Sequence, residues 1–164
     1  MNKLIIPLKH YNDRSKNIVI DLIIIHYISA RNLNKQKWDD LGLILGIFGA
    51  VEWRGRIYVS SAHYVIERTG RLIETVHPDL RAWHAGKSEY NGKSNCNSYS
   101  IGIEIVGGSF IDFMPEQYDS LNELIKYLKG IYPIKNITGH ENVALPRGRK
   151  RDPGSRFNWQ KVIL

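Results

Sequence analysis

Apolar and polar positions divide this chain into a few clear segments. Ile18 to Ile25 is rich in β-branched residues and almost continuously apolar, which suits a strand buried on both faces in the middle of a sheet, and it runs directly into His26. Arg56 to Ile66 reads as a second strand. The turn residues Arg68-Thr69-Gly70 join it to Arg71–Val76, so the two predict a hairpin. Ile101 to Val106 returns to strand, with Gly102, Glu104 and Val106 on one face and Ile101, Ile103 and Ile105 on the other. From Pro115 to Lys129, Tyr118, Leu121, Leu124, Ile125 and Leu128 recur at helical spacing, with Pro115 in the first turn and Gly130 placed to end the helix. Ile134 to Thr138 is a short strand. Asn34 to Asp40 is polar, and Leu41 to Ala50, with Gly42, Gly46 and Gly49, fits either a short helix or an irregular covering layer. His77–Tyr99 and Gly139–Trp159 are rich in Gly, Pro and Asn or basic residues and read as loops. Strands separated by loops, with one long helix, predict an α/β fold: a single domain over residues 1–164 with a central mixed β-sheet flanked by helices.

Length and composition narrow the chemistry. A chain of 164 residues removes about two-thirds of its unfolded surface from water, so it needs neither disulfides nor a structural metal to fold. Its one cysteine, Cys96, excludes an intrachain disulfide and a cysteine-rich metal site, and agrees with a reducing compartment. The apolar runs are too short or too interrupted by Gly to span a bilayer, and Met1 to Lys9 lacks the long apolar stretch of a secretory signal. A cytoplasmic location with no membrane partner is therefore expected. Lys and Arg number 23 against 16 Asp and Glu, a formal charge of +7, which points to anionic partners: nucleic acid, a membrane surface or an acidic wall polymer.

Among six histidines, His26 ends an apolar strand and His140 follows Ile-Thr-Gly just past another, so both could project from one end of the same sheet. Asp152, in Arg-Lys-Arg-Asp-Pro-Gly, could join them. Two imidazoles and a carboxylate, with a fourth position left to water, is a ligand set used by catalytic zinc. The bland reading of each histidine is a hydrogen-bonded structural residue beside an apolar strand. Glu104 interrupts an otherwise buried strand, either as a general base whose protonation is set by burial and neighbouring charge or as an edge-strand carboxylate facing water. Arg147, Arg149, Lys150 and Arg151 form a basic loop that could be merely solvated, could bind phosphate, or could hold the Lys150 ammonium near a metal on Asp152, where it would stabilise an oxyanion.

In order along the chain, Val59-Ser-Ser-Ala-His-Tyr-Val-Ile-Glu-Arg, Arg81-Ala-Trp-His-Ala-Gly-Lys-Ser, Tyr99-Ser-Ile-Gly-Ile-Glu-Ile-Val-Gly, Thr138-Gly-His-Glu and Arg149-Lys-Arg-Asp-Pro-Gly-Ser-Arg-Phe-Asn-Trp resemble the zinc-dependent N-acetylmuramoyl-L-alanine amidases of the type-2 amidase family. The resemblance covers about residues 20–159 and is greatest to the AmpD branch, which cleaves 1,6-anhydro-muropeptides in peptidoglycan recycling. It implies zinc on His26, His140 and Asp152, Glu104 as the acid/base residue and Lys150 as support for the transition state. Trp83, His84 and Arg149 are expected in the substrate cleft, and Tyr64 beside it. Tyr27 follows the first ligand where relatives in that branch often carry Asn, and the interval from His140 to Asp152 is slightly longer, both of which bear on specificity.

The implied reaction is hydrolysis of the amide between the lactyl group of N-acetylmuramic acid and the L-alanine of the stem peptide, by a monomer whose partner is a muropeptide or peptidoglycan. A phage-type endolysin acting on intact peptidoglycan and a non-catalytic peptidoglycan-binding module are the alternatives on the same fold. A nucleic-acid partner, the reading that the charge alone would suggest, lacks a recognition helix or an aromatic platform.

Overall fold

The structure, a computed structural model, describes residues 2–28, 48, 51–53 and 56–163. Asn34–Asp40 and, apart from Phe48, Leu41–Ala50 lie outside them. The strands in chain order are β1 (Leu4–Ile5), β2 (Tyr11–Asp13), β3 (Leu22–Ile28), β4 (Val51–Trp53), β5 (Arg56–Tyr58), β6 (Tyr64–Ile66), β7 (Leu72–Glu74), β8 (Leu80–Ala82), β9 (Glu89–Tyr90), β10 (Lys93–Ser94), β11 (Ser100–Val106) and β12 (Asn136–Gly139), with a helix α1 (Pro115–Ile131) between the last two.

Six strands form the main sheet in the order β1-β7-β6-β11-β3-β12. Strands β6, β11, β3 and β12 are parallel to one another, whereas β6 and β7 form the antiparallel hairpin, so the sheet is mixed. Interior parallel strands are covered on both faces, and β3 and β11 are accordingly buried along nearly their whole length. Their odd-numbered residues Ile23, Ile25, Ile101, Ile103 and Ile105 face α1, whose Tyr118, Leu121, Leu124, Ile125 and Leu128 complete the largest core cluster. Each such fully buried side chain contributes roughly 1.5–3 kcal/mol. Gln117 fixes the start of α1 to the sheet: its Oε1 accepts from the Met114 N–H at 2.9 Å, and its Nε2 donates to the Val106 carbonyl at 2.9 Å.

Several boundaries differ from those the pattern predicts. The strand read over Ile18–Ile25 starts at Leu22 and continues past His26 to Ile28, because pairing with β11 persists to Val106. The stretch Arg56–Ile66 is two strands, since at His63 the side chain enters the hydrogen-bonding pattern: its Nδ1 accepts from the Gly102 N–H at 2.9 Å while its own N–H donates to the Gly102 carbonyl at 3.0 Å. Gly130 lies inside α1. The helix stops because Pro133 drives Tyr132 into extended backbone, φ −112° and ψ 145°. His77–Tyr99 carries β8, β9, β10 and a 3-10 turn at Cys96–Ser98. Glu104 belongs to an interior strand, which removes the edge-strand reading.

Candidate active site

The parallel strands β11, β3 and β12 end side by side, and the carboxyl ends of such strands are where connecting loops converge to form sites. Glu104 on β11 sits opposite His26 on β3. Gly139, the last residue of β12, pairs with Ile25, which delivers His140 next to His26. The loop beyond brings back Asp152, held by a 2.9 Å hydrogen bond from the Glu141 N–H to the Asp152 carbonyl. Gly139 is needed at this approach: a Cβ there would lie 2.5 Å from Pro153 Cδ.

His26 Nδ1, His140 Nδ1 and Asp152 Oδ2 stand 3.0 Å from one another, all three pairs alike, and are buried. His140 Nε2 lies 3.1 Å from the Ala85 carbonyl. A carbonyl only accepts, so Nε2 carries the hydrogen and the Nδ1 lone pair faces the triangle. His26 Nε2 is 3.0 Å from His84 Nδ1. Three electron-pair donors converging at this range fit a single cation. Ligands about 2.0–2.1 Å from a tetrahedral zinc would stand about 3.3 Å apart, close to the spacing seen.

The charges in the pocket follow from burial and from one another. Burial acts to raise the Asp152 carboxyl, but its close contact with the His140 and His26 rings outweighs burial and holds Asp152 well below the usual carboxylate range. Burial pushes His26 down to about 4 and His84 well below its ordinary value, so both are neutral at physiological pH, as metal ligation or acceptance of a hydrogen bond requires. Glu104 is pushed up to about 8 by burial and then by the Asp152 charge, with Lys150 opposing. Its Oε2 is buried and has no hydrogen-bond partner among the described residues. An unpartnered carboxyl oxygen of this kind is costly to fold unless it meets something the protein binds.

His26, His140, Asp152, Glu104, His84, Arg149 and Lys150 line one open cavity of about 550 Å³, together with Tyr27, Ser60, Ser61 and Arg151. Tyr27 Oη is 3.0 Å from Ser109 Oγ at the rim. Arg149 spans two walls, its Nη2 donating to the Ala85 carbonyl at 3.1 Å and the Lys87 carbonyl at 2.9 Å. Two residues expected at the cleft, Tyr64 and Trp83, are not among the described residues that line this cavity. Tyr64 is fully buried and shares register with Ile103, so strand alternation turns it to the α1 side, into the core and away from Glu104. Trp83 is not in the cavity lining: its Nε1 donates to Asn12 Oδ1 at 2.7 Å, and its ring stacks on His10.

Arg14 is a residue that the sequence pattern did not single out. Its guanidinium donates to the carbonyls of Pro78, Asn97, Ser98 and Ser100 at 2.8–3.2 Å. It thereby clamps the segment that carries His84 against the start of β11. Asn97 works on the same segment, its Oδ1 accepting from the His84 and Ala85 N–H groups at 3.2 and 2.7 Å.

Comparison with known proteins agrees with this geometry. Residues 14–155 match the N-acetylmuramoyl-L-alanine amidase family. The chain is 33% identical to the 1,6-anhydro-N-acetylmuramyl-L-alanine amidase AmpD of Escherichia coli strain K12 over 95% of its own length and 87% of that protein's. The crystal structure of a selenomethionine derivative of AmpD superposes with a TM-score of 0.83 at 33% identity, covering 97% of this chain and 91% of that one. AmiD from E. coli, solved in complex with its substrate anhydro-N-acetylmuramic acid-L-Ala-D-γ-Glu-L-Lys, superposes with a TM-score of 0.68 at 28% identity, covering 90% of this chain and 58% of that one. With the match running through every strand that carries a cavity-lining residue of the triangle, and a close relative sharing nearly its full length, the chain belongs to the N-acetylmuramoyl-L-alanine amidase family.

Proposed function

We propose that this amidase acts on 1,6-anhydro-muropeptides in peptidoglycan recycling, cleaving the amide between the lactyl group of the muramic acid and the first L-alanine of the stem peptide, with one zinc ion held by His26, His140 and Asp152. The reading rests on one observation above all: three converging donor atoms 3.0 Å apart beside a buried carboxyl oxygen that has no partner among the described residues. Zinc at that point supplies a Lewis acid for the scissile carbonyl and for the attacking water.

The protein's own groups do the rest. Glu104 takes a proton from the attacking water and returns it to the leaving amine, a shuttle suited to a carboxyl raised towards neutrality. Lys150 brings a positive charge to the cavity and stabilises the oxyanion of the tetrahedral intermediate. Arg149 and Arg151 give the rim a basic character that attracts the free carboxylates of the stem peptide. The AmpD likeness over nearly the whole chain favours small freed muropeptides, and we take the enzyme to be a monomer in the cytoplasm. No helix among the described residues is long and apolar enough to cross a membrane.

Mass spectrometry of products from purified anhydro-muropeptide and from whole sacculi, run side by side, tests the substrate. Release of stem peptide from the first and little from the second is expected. Efficient digestion of sacculi would favour an endolysin, and cleavage of neither would favour a binding module. Cleavage that persists after thorough chelation would contradict the metal.

A further inference from the structure

The donor triangle owes its polarity to residues behind it, and His84 is the link. Ser100 Oγ lies 2.6 Å from the Cys96 carbonyl, which can only accept, so the serine hydrogen points there. Ser100 Oγ is then an acceptor for His84 Nε2 at 3.3 Å, which places the imidazole hydrogen on Nε2 and leaves a lone pair on Nδ1. That lone pair, 3.0 Å from His26 Nε2, draws the His26 hydrogen to Nε2. The His26 Nδ1 lone pair is thereby aimed into the triangle. A main-chain carbonyl at the far end thus sets the direction of three successive hydrogen bonds, all between buried groups where water cannot substitute.

The ring is also seated by shape. A Cβ on Gly102 would lie 2.4 Å from His84 Cγ, so only glycine lets the imidazole reach both neighbours. Arg14 and Asn97 fix the backbone on either side of it.

We infer that His84 is a positioning residue for the metal ligand His26, holding it in the Nε2–H form through the Cys96–Ser100–His84 relay, and that it is not a substrate-contact residue. The inference rests on the metal reading proposed above. Ligand histidines oriented in this way lose about 10- to 100-fold in metal affinity when the outer partner is removed.

The test is zinc affinity, measured by competition with a chelating dye on wild-type protein and on His84→Phe, His84→Asn and Ser100→Ala. His84→Phe keeps the ring volume and removes the acceptor, and is expected to bind zinc 10- to 100-fold more weakly. His84→Asn places an amide oxygen near the position of Nδ1 and is expected to recover most of that loss. Ser100→Ala frees the relay at its outer end and is expected to weaken binding several-fold, which keeps the test decisive if His84→Phe fails to fold. Wild-type affinity in His84→Phe, or in Ser100→Ala if that variant alone folds, would overturn the inference. So would His84→Asn binding no better than a folded His84→Phe, since packing alone would then explain the loss. Wild-type protein that binds no zinc would instead overturn the metal reading, and the inference with it.

Discussion

The two faces of the central sheet are built by the same strands and follow opposite rules. Towards α1, β3 and β11 present Ile23, Ile25, Ile101, Ile103 and Ile105 to a predominantly apolar helix face. On the opposite face the same strands present His26, Ser100, Gly102 and Glu104, and residues from neighbouring loops bring His63, His84, His140 and Asp152 alongside. The first face is held by volume and area removed from water. The second adds, beside the apolar residues Leu22, Ile24, Ile28 and Val106, a cluster of hydrogen-bonding groups whose donors and acceptors must match one by one, and within that cluster Glu104 Oε2 finds no partner among the described residues. Alternation along one strand thus supplies stability on one side and a place for chemistry on the other, with a single residue step between them.

This contrast can be broken from either side. On the polar face, Glu104→Gln is expected to keep zinc and lower kcat by about 10²–10⁴, as loss of a general acid/base typically does; metal analysis alongside turnover on anhydro-muropeptide checks it. On the apolar face, Leu124→Ala is expected to cost about 2–5 kcal/mol of stability in urea unfolding while the folded fraction still takes up zinc. Arg14→Ala lies between: leaving several buried carbonyls without a donor should cost on the order of 3 kcal/mol and, by loosening the His84 segment, also weaken zinc binding, which Leu124→Ala should not do.

A smaller effect concerns pH. Burial, and then the neighbouring Arg14 charge, push His63 down to about 3. The folded state therefore binds fewer protons than the unfolded chain between the ordinary histidine value and about 3. Stability is complete above about pH 6.5 and falls as the pH is lowered, by at most about 1.4 kcal/mol per pH unit from this group. Urea midpoints from pH 7 to pH 4 should fall less steeply in His63→Asn than in the wild type. Smallest of all, Tyr64→Phe should leave kcat and KM within about twofold, since the ring sits in the core; the same assay decides whether it touches substrate.

The difference between the faces also explains what could be read in the sequence. The apolar face announces itself by period, so the helix around Leu121 and Leu124 and the strand through Ile103 were legible in advance. His26, His140, Asp152 and Glu104 were legible because each sits at an odd place, next to a strand end or inside an apolar run, and because the motifs around them resemble a known family. Gly130 misled because local propensity points to a helix end there, whereas Pro133 decides it. Tyr64 misled because closeness in sequence to His63 does not reveal which way a strand residue turns; only its register with Ile103 does. Arg14 was invisible, since its partners at Pro78, Asn97 and Ser100 lie 64 to 86 residues away and are main-chain carbonyls, which carry no sequence signature.

The most direct test of the donor triangle is the zinc content of purified wild-type protein and of Asp152→Ala, measured in parallel by elemental analysis. The arrangement of His26, His140 and Asp152 predicts one equivalent of zinc per chain in the wild type and close to none in the variant. Wild-type protein that is active and metal-free, or Asp152→Ala that retains a full equivalent, would contradict it.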